Sequence, residues 1–559
     1  MRFSFKRCLF IAYILLVGTG SQMLIAQNKS YSINSLTTLI DGLYAPFDKV
    51  LPGDTLLLEH GARQFILLRN FSGEKDKPII IINSGGIVSI NTDHYYGISI
   101  RNCKYFKLTG TGDLNHFYGF KIERVQNGGG IGIGEESSDF EIDHISVENC
   151  QGVGISAKTD PDCSFSNTRG MFTQYNSVLH DNYIASVSNE GMYIGSTKYF
   201  GQTVNCAGTD ILLLPSLLDG VRIYNNILKY TGWDGIQVSS ASSNCQVFDN
   251  LILFDSQSEF YNQMSGILLG GGSNCDCYNN YIGNGKGNGI EHHGLGGNRI
   301  FNNIIVDAGR TFLPQDSNQM RHGIFISDVS PDSSIIIMNN DIINPKSDGI
   351  RFSGIHGKNN LIASNLIINP GNYDFYENGN TRFEGKDSYV MLTDPAINIL
   401  IKNNFYSRNI LNAGLSETDY TLLPGSPLID SAYFNTNGIV FDYFHYPRPY
   451  GMAADIGAFE YNPTYLNTPF YSISTTEPFL FPNPVKTFLN INYHSTSTSK
   501  LTLGIYDLQG SRVIFKDLFS ESGEINAIKV DVSFINSGVY IYQLSSKFNT
   551  VSGKFIKIR

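Results

Sequence analysis

The chain has 559 residues and a formal net charge of −10, with 16% charged residues, 12% aromatic residues and 56 glycines. This composition excludes a disordered chain and is typical of turn-rich β-structure. The acidic balance gives no general attraction to nucleic acid or to other polyanions, so no nucleic-acid partner is expected.

The first residues have the pattern of a secretory signal peptide. Basic residues up to Arg7 precede an apolar run from Leu9 to Val17, and small and polar residues follow as far as Ala26. The alternative is a membrane anchor, but the apolar run is shorter than the ~20 residues that a span needs. We therefore predict a signal peptide at residues 1–26 and no transmembrane segment in the mature chain.

A short unit, an Asn set among apolar residues, recurs through the middle of the chain. The shortest spacings between successive units are 23, 24 and 25 residues, and in four units a glycine follows the Asn by nine positions. A repeat of this length, made of short strands with no long helical stretch, indicates a solenoid in which each unit is one coil. The repeated positions are Asn182, Asn226, Asn250, Asn280, Asn303, Asn340, Asn365 and Asn404.

Asn suits this repeat because it tolerates the left-handed backbone of a sharp corner, and stacked Asn side chains can bond to each other along the axis. The pattern resembles the right-handed parallel β-helix of the pectin-lyase-like superfamily, over roughly residues 50 to 460. The predicted fold class is therefore all-β, a right-handed parallel β-helix solenoid followed by a small C-terminal β-sandwich.

Both ends of the repeat carry further resemblances. Residues 51–59 and 77–82 resemble the opening coils of secreted β-helix polysaccharide lyases, and residues 34–50 are expected to cover the open N-terminal end. Residues 424–432 and 455–461 resemble the closing segment of many bacterial β-helix proteins. The sequence therefore predicts that the solenoid ends near residue 461.

The C-terminal segment resembles, element by element, the sorting domain of the type IX secretion system. This resemblance implies export through the outer membrane of a Bacteroidetes-like bacterium, with the secretion machinery as a partner and a secreted or surface-attached product. The alternative is a generic carbohydrate-binding sandwich. The segments that carry the resemblance are 481–485, 489–493, 504–510, 538–542 and 554–558.

These observations predict the domain organisation of the chain. The signal peptide is followed by a β-helix at 27–461, a linker at 462–478 and the sorting domain at 479–559. A monomer is expected.

The cysteines fit an exported protein. Eight are present, and one leaves with the signal peptide, so at least one of the remaining seven is unpaired in a monomer. Cys163 and Cys206 lie in two long insertions and are predicted to form a disulfide. Cys245 and Cys275 occupy the same position in neighbouring coils, where a strand spacing of ~4.8 Å allows a disulfide, but they are expected to be buried free thiols.

The strand that follows each coil's glycine predicts which side chains reach solvent. By alternation, positions −1, +2 and +4 from the glycine should face outward, and positions +1 and +3 should fill the core. Four insertions, at 158–175, 197–219, 256–264 and 308–320, flank this face and are predicted to wall a groove. The −1 row is Glu190, Asp234, Ser265, Asn288, His322 and Asp348; the +2 row is Tyr193, Gln237, Leu268, Glu291, Phe325 and Arg351; the +4 row includes Ser239, His293, Ser327 and Ser353.

The densest chemical cluster on these rows gives the candidate catalytic residues. Elimination from a uronic acid needs a base for the C5 proton and a cation for the carboxylate. A neutral His or Tyr can be the base, and Arg or Ca²⁺ can neutralise the carboxylate. Hydrolysis instead needs two carboxylates, and Glu190, Asp234, Glu291 and Asp348 are available. His292 is predicted to point inward. The candidate catalytic residues are Glu291, His293, Arg321, His322 and Arg351.

The candidate substrate-binding residues lie on neighbouring coils, where aromatic side chains offer stacking surfaces for sugars. For Trp233, packing at a coil corner is an equally good interpretation. The sequence leaves the metal site unassigned, and Ca²⁺ is the one cofactor considered. The candidate substrate-binding residues are Glu190, Tyr193, Trp233, Asp234 and Gln237.

The complete motif set of polygalacturonase-like hydrolases is absent, as is the Asp-Pro-His signature of alginate epimerases. The resemblance therefore implies a fold and a polysaccharide partner, without a mechanism. The first hypothesis is a secreted or cell-surface carbohydrate-active β-helix, more specifically a polysaccharide lyase acting on a uronate-containing polymer. The alternatives are a non-catalytic glycan-binding or adhesin-like surface protein and a glycoside hydrolase on the same fold.

Overall fold

The structure of the protein is a computed structural model. It describes residues 28–558 except 114–115, 294–295, 313–319, 372–388, 417–419, 434–437, 463–478, 482, 484, 495–498, 521–524 and 546–549. The predicted signal peptide and nearly all of the predicted linker lie outside the described residues.

Short parallel strands wind into coils, and one face of the coils forms a twelve-strand sheet. Each strand in it pairs with the corresponding strand of the coil before and the coil after, which is the topology of a solenoid. Its strands are Leu39–Asp41, Ile66–Arg69, Tyr96–Arg101, Gly129–Gly134, Ile155–Ala157, Met192–Ile194, Ile236–Val238, Ser265–Leu269, Asn288–His293, Ile324–Asp328, Ile350–Phe352 and Val390–Leu392.

The other two faces of the coils belong to one 23-strand sheet, which bends between them. The first stack is Ser30–Ile33, Thr55–Arg63, Ile79–Thr92, Lys104–Thr109, Ser138–Asp143, Ser177–His180, Arg222–Tyr224, Cys245–Phe248, Cys275–Tyr278, Arg299–Phe301, Ile336–Met338, Asn360–Ala363 and Ile399–Lys402. The second stack is Phe120–Val125, Ile145–Glu148, Tyr183–Ala185, Ile227–Lys229, Leu251–Leu253, Tyr281–Gly283, Ile304–Val306, Asp341–Ile343, Leu366–Ile368 and Phe405–Ser407.

The repeated Asn residues form a ladder at the bend between the two stacks. Each Nδ2 donates to the Oδ1 of the next Asn, at 3.1 Å from Asn182 to Asn226 and at 2.9 Å from Asn365 to Asn404. The left-handed backbone falls on the residue before each ladder Asn, as at Asp181 with φ 53°. The predicted stacking is confirmed, but the corner conformation is adopted one residue earlier than the ladder.

The core lies inside the coils, where side chains from the three faces meet. Positions +1 and +3 of the twelve-strand sheet are buried as predicted, with Ile236, Ile267 and Ile290 fully enclosed. Burial of such apolar side chains stabilises the solenoid by roughly 25 cal/mol per Å². His292 also lies in this core, and its burial lowers its pKa to about 4.

The N-terminal end differs from the prediction in one respect. Residues 34–50 were expected to cover the first coil, but Leu39–Asp41 within them is the first strand of the twelve-strand sheet. Phe47–Lys49 forms a short 3₁₀ helix, and Phe47 and Val50 pack against the core. This segment therefore forms part of the first coil as well as covering it.

The closing segment, residues 410–462, begins with the 3₁₀ helix Ile410–Ala413 and runs along the outside of the ladder corner. Asn302 Nδ2 donates to Phe441 O at 2.8 Å, and Asn339 Nδ2 donates to Asp455 O at 3.0 Å. The coil strands end at Ser407. Residues 410–461, which were predicted to be part of the solenoid, therefore form no further coil and pack along its outer side.

The C-terminal part is a sandwich of two antiparallel sheets, and the predicted fold class is confirmed. Its core includes Leu489, Leu503, Ile505 and Phe555. One sheet contains Phe479–Phe481, Phe488–His494 and Ile525–Asp531, and the other contains Arg512–Ser520, Ser499–Tyr506, Gly538–Ser545 and Thr550–Lys557.

Smaller strands and two disulfides complete the insertions. The Cys163–Cys206 disulfide is confirmed and joins two insertions, one of which carries the hairpin Gln202–Cys206 with Thr209–Leu213. A small parallel sheet contains Thr173–Tyr175, Leu217–Asp219 and Ala241–Ser243.

The prediction of free thiols at Cys245 and Cys275 is wrong. The two residues form a disulfide. They face each other on paired strands, and their Cα atoms are 4.4 Å apart, which is within the range for a disulfide. Among the described residues Cys103, Cys150 and Cys277 are free and buried. Within the same part of the chain, no helix has the length and apolar character that crossing a membrane requires.

Candidate functional site

The outer face of the twelve-strand sheet carries the predicted +2 row in perfect register. Gln237 pairs with Leu268, Leu268 with Glu291, and Glu291 with Phe325 and then Arg351 on successive coils. Neighbouring strands lie ~4.8 Å apart, so each coil adds one side chain to the row at this spacing. The sequence correctly predicted which residues share this row.

The exposure predicted for the −1 row is wrong. Glu190, Asp234 and His322 are buried. Gln237 of the +2 row and Ser239 of the +4 row are buried as well. The predicted alternation of side chains is correct. However, alternation predicts only that a side chain points away from the core, and these side chains are covered by other parts of the chain.

One covering element is the insertion at 256–264. The backbone amides of Ser256 and Ser258 donate to Trp233 O and Gly232 O, and the ring of Phe260 stacks on the ring of Trp233 at 4.4 Å. Trp233 is therefore a packing residue at a coil corner on at least one of its faces. Phe260 and Tyr261 remain exposed, at 50% and 71% of their surface.

The insertions on the opposite edge of the sheet cover it in a similar way. The ring of Tyr199 lies directly over Gly272, where a Cβ would meet a ring carbon at 2.0 Å. The Arg169 guanidinium lies over this ring, 4.2 Å from its centre, and donates to Tyr199 O at 2.6 Å. The insertions at 158–175, 197–219 and 256–264 therefore pack along the sheet, and Asp234 and Gln237 on its outer face are buried.

Glu291 and His293 form a polar pair on this face that solvent reaches from the imidazole side. His293 Nδ1 lies 3.4 Å from Glu291 Oε1, and the His293 side chain is 57% exposed whereas that of Glu291 is 14% exposed. Ser265 Oγ and Asn288 Nδ2 donate to Glu291 Oε2 at 2.9 and 2.8 Å. The carboxylate is thus fixed from two sides, with the imidazole open to solvent.

The electrostatics of this pair suit a base. Burial acts to raise the pKa of Glu291, but its interaction with His293 and the two donors outweigh burial and hold the pKa below its usual range. Glu291 in turn raises the pKa of His293. With Nδ1–H directed at the carboxylate, Nε2 of a neutral His293 is free to accept a proton.

A second cluster lies two coils further along the row. Arg351 Nη1 donates to Asp348 Oδ2 at 3.1 Å, and His322 Nδ1 lies 3.2 Å from the same oxygen. Asp348 and His322 are buried, whereas the Arg351 side chain is 21% exposed. A braced and partly exposed guanidinium is suited to bind a carboxylate.

Arg321 does not join this cluster. Its guanidinium lies 4.5 Å from the centre of the Phe312 ring, and its Nη1 donates to Met320 O. The side chain is buried at the corner before the sheet, because position −2 lies outside the strand alternation. Tyr193 lies on the row and is half-buried, with Lys158 Nζ 4.9 Å from the centre of its ring.

The covered part of the face holds carboxyl groups that lack partners. Neither oxygen of Asp234 accepts a hydrogen bond of normal geometry, and Glu190 Oε2 and both amide atoms of Gln237 also lack partners. Burial, together with the charges of Glu291, Glu190 and Asp255, raises the pKa of Asp234 well above its usual range. Buried polar atoms in proteins normally have partners, so a protonated Asp234 or an ordered water would satisfy these groups.

Another titratable cluster, on the first stack, was not predicted from the sequence. One ligand atom each from Glu141, Asp143 and His180 lie within 4.8 Å of one another. Lys107 Nζ lies between them, 2.9 Å from Asp143 Oδ2, and therefore supplies the cation itself. Hydrogen bonds to Asp181 and Glu141 outweigh burial and raise the pKa of His180 to about 10. Only the pairing of successive coils brings these residues together.

Comparisons with known proteins agree with this architecture. Residues 216–405 match the family described as "Right handed beta helix region", and residues 479–558 match "Secretion system C-terminal sorting domain". This chain is a right-handed β-helix protein with a C-terminal secretion sorting domain. The sorting domain indicates export by type IX secretion to the cell surface or the medium.

Solved structures similar to this β-helix protein share only a small part of its sequence. An alginate lyase from Paenibacillus sp. str. FPU-7 is 13% identical with a TM-score of 0.34, over 55% of this chain and 95% of that one. The polysaccharide lyase Pedsa3628, of family PL6, from Pseudopedobacter saltans is 13% identical with a TM-score of 0.28, over 66% and 92%. A lacto-N-biosidase of family GH136 from Eubacterium ramulus is 11% identical with a TM-score of 0.29, over 68% of each chain. No curated protein matches the chain.

Proposed function

We propose that this exported protein binds an acidic polysaccharide along the twelve-strand sheet and cleaves it by β-elimination. The observation that carries the proposal is the exposed Glu291–His293 pair on the same face as Arg351, which Asp348 braces. The proposal rests on these contacts and on export, because fold alone does not determine activity.

The spacing of the two clusters suits one sugar unit. Glu291 and Arg351 are two coils apart, or about 10 Å, and Phe325 lies between them in the register. Phe325 is partly exposed and offers an apolar surface for a sugar ring. A uronate above Phe325 has the imidazole on one side and the guanidinium on the other.

In this arrangement His293 acts as the base. Its Nε2 takes the C5 proton of the uronate, the C5–H electron pair forms the C4=C5 double bond, and the C4–O bond breaks with its electrons on the leaving oxygen. Arg351 binds the carboxylate and stabilises the charge that develops on it as C5 loses its proton. Glu291 keeps the proton of His293 on Nδ1.

The test follows absorbance near 235 nm, where unsaturated uronate products absorb, on a panel of uronate-containing and neutral polysaccharides with and without Ca²⁺. We expect activity on one acidic polymer, reduced roughly 100-fold or more by His293→Ala, as for loss of a general base. His445→Ala is the matched control, since His445 is a half-exposed imidazole 3.0 Å from Asp249 at the ladder corner, away from the twelve-strand sheet. Equal activity of the wild type and His293→Ala would exclude this mechanism.

A second candidate function is glycan binding without cleavage. The exposed rings of Phe260 and Tyr261 beside the sheet support it, because aromatic faces stack on sugars and need no acid or base. Binding to a polymer that is lost in Tyr261→Ala, with no unsaturated ends and no reducing ends produced, would favour this candidate. New reducing ends without absorbance would point to hydrolysis.

A further inference from the structure

The outer side of the ladder corner is a row of polar residues, one before each ladder Asn and one, His144, at the equivalent corner before Ile145. This row is covered along much of its length. We call the left-handed residues at these positions the corner row. The residues in the C-terminal half of the corner row bind the closing segment, as Asn302 and Asn339 do. The members of the corner row are His144, Asp181, Asn225, Asp249, Asn279, Asn302, Asn339, Ser364 and Asn403.

The N-terminal half of the corner row meets the sorting domain, and at Asp249 the two covers adjoin, since His445 of the closing segment lies 3.0 Å from its carboxylate. Lys554 Nζ donates to Asp249 O, and Ser552 lies close enough to Asp181 to help lower the pKa of its carboxyl. The side-chain amide of Gln543 lies 3.4 Å from His144 Nε2. Three members of the row thus contact two neighbouring strands of one sheet of the sandwich, which continues the cover where the closing segment stops.

Apolar contacts support these polar ones. Phe117 and Tyr118 project from the β-helix and are buried in one cluster with Tyr506 and Ile541 of the sorting domain. The rings of Phe117 and Tyr506 lie 5.4 Å apart. Without the sorting domain, two large aromatic side chains of the β-helix would lose this apolar cover.

The backbone also contributes to this interface. The Phe117 N–H donates to Gly510 O at 3.4 Å, and Lys121 Nζ donates to Gln509 O at 2.7 Å. Gly510 has φ 75°, and a Cβ there would meet the Tyr118 ring at 2.8 Å. The turn of the sorting domain therefore fits this surface only with glycine at this position.

We propose that Phe117, Tyr118 and the corner row from His144 to Asp249 form a binding surface for the chain's own sorting domain. The domain is then held on the β-helix and does not move freely on its linker. Charge complementarity favours this partner, because residues 479–559 contain nine Lys and Arg against five Asp and Glu, whereas the whole chain has a net charge of −10. The tether adds a high effective concentration, so contacts of moderate strength suffice.

The test uses the full chain with a protease site placed in residues 463–478. After complete cutting, we expect the sorting domain to co-elute with the β-helix in size-exclusion chromatography at micromolar concentration. Tyr118→Ser should weaken the association by at least roughly 30-fold, as for a buried aromatic at an interface centre. Tyr261→Ser, which removes an exposed tyrosine away from this surface, should leave it unchanged.

The proposal fails if the cut wild-type domains separate while circular dichroism shows that both remain folded. It also fails if Tyr118→Ser folds and binds as tightly as the wild type. Should Tyr118→Ser not fold, Lys121→Ala combined with Lys554→Ala changes only side chains that donate across the interface. That double variant must then dissociate faster than the wild type after cutting, and an unchanged rate would overturn the proposal.

Discussion

Replacing Asn280 by Ala tests how the ladder stabilises the solenoid. Asn280 Oδ1 accepts from the N–H and the Nδ2 of Asn250, at 3.1 and 3.0 Å. Asn280 Nδ2 donates to Val247 O at 2.9 Å, to Tyr278 O at 3.0 Å and to Asn303 Oδ1 at 2.9 Å. All of these groups are buried, so the substitution removes a partner of the Asn250 N–H and of the Val247 carbonyl at a place that water does not reach. Asn250 Nδ2 keeps its bonds to Ile223 O and Phe248 O, each at 2.9 Å.

The cost follows from these lost partners. Each of these two buried groups costs about 1–3 kcal/mol when it is left unpaired, and partial rearrangement offsets some of the cost, so we expect Asn280→Ala to destabilise the solenoid by about 2–4 kcal/mol. Asn404→Ala is the matched control at the end of the ladder. Asn404 accepts two bonds from Asn365 and donates one to Ile362 O, but it is partly exposed, so its loss should cost about 1–2 kcal/mol.

The assay is urea unfolding of both variants and the wild type, with unfolding rates measured alongside because long repeat arrays need not unfold in two states. Asn280→Ala should unfold at a clearly lower urea concentration and faster than Asn404→Ala. Equal midpoints for the two variants would refute the argument that buried ladder bonds, and not simply the presence of Asn, stabilise the coils.

Three other changes test the site and its surroundings. Glu291→Gln removes the carboxylate that raises the pKa of His293, so the acid limb of the pH–rate profile should move to lower pH. Asp234 has a folded pKa above its unfolded value, so wild-type stability should fall as pH rises from about 4 through the folded pKa. Thermal unfolding between pH 4 and 8 should show a shallower slope for Asp234→Asn and a higher stability at neutral pH, while other buried carboxyls such as Asp255 and Asp341 contribute the rest of the slope. An unchanged slope would contradict this reasoning. Cys245→Ser with Cys275→Ser opens a loop of sequence separation 30 and should cost about 3–4 kcal/mol under non-reducing conditions, by the same measurement.

The repeat predicted the solenoid because its signals are local. An Asn at each corner and a glycine nine residues later are enough to set the coil and its register, and the +2 row from Gln237 to Arg351 follows from them. The inward side chains, including the unusual His292, were assigned correctly by alternation alone. The roles given to the site residues remain proposals.

What the sequence did not predict depends on contacts between distant segments. The burial of Asp234 and Gln237 requires the insertions to fold over the sheet, and no periodic signal indicates where an insertion packs. Arg321 lies outside the strand, where alternation gives no orientation. Cys245 and Cys275 form a disulfide, but two free thiols would have the same spacing in the sequence. The spacing alone therefore does not distinguish the two states.

The Asn ladder also determines how the solenoid can gain or lose coils in evolution. Each ladder Asn bonds to the coils immediately before and after it, so a whole coil can be inserted or deleted in the stack while every remaining bond is remade with an identical partner. A single-residue insertion in a strand would instead reverse the inward and outward positions after it. Evolution of the family by duplication of coils would therefore lengthen the outer face in steps of one strand, about 4.8 Å, and leave the chemistry of the existing rows intact.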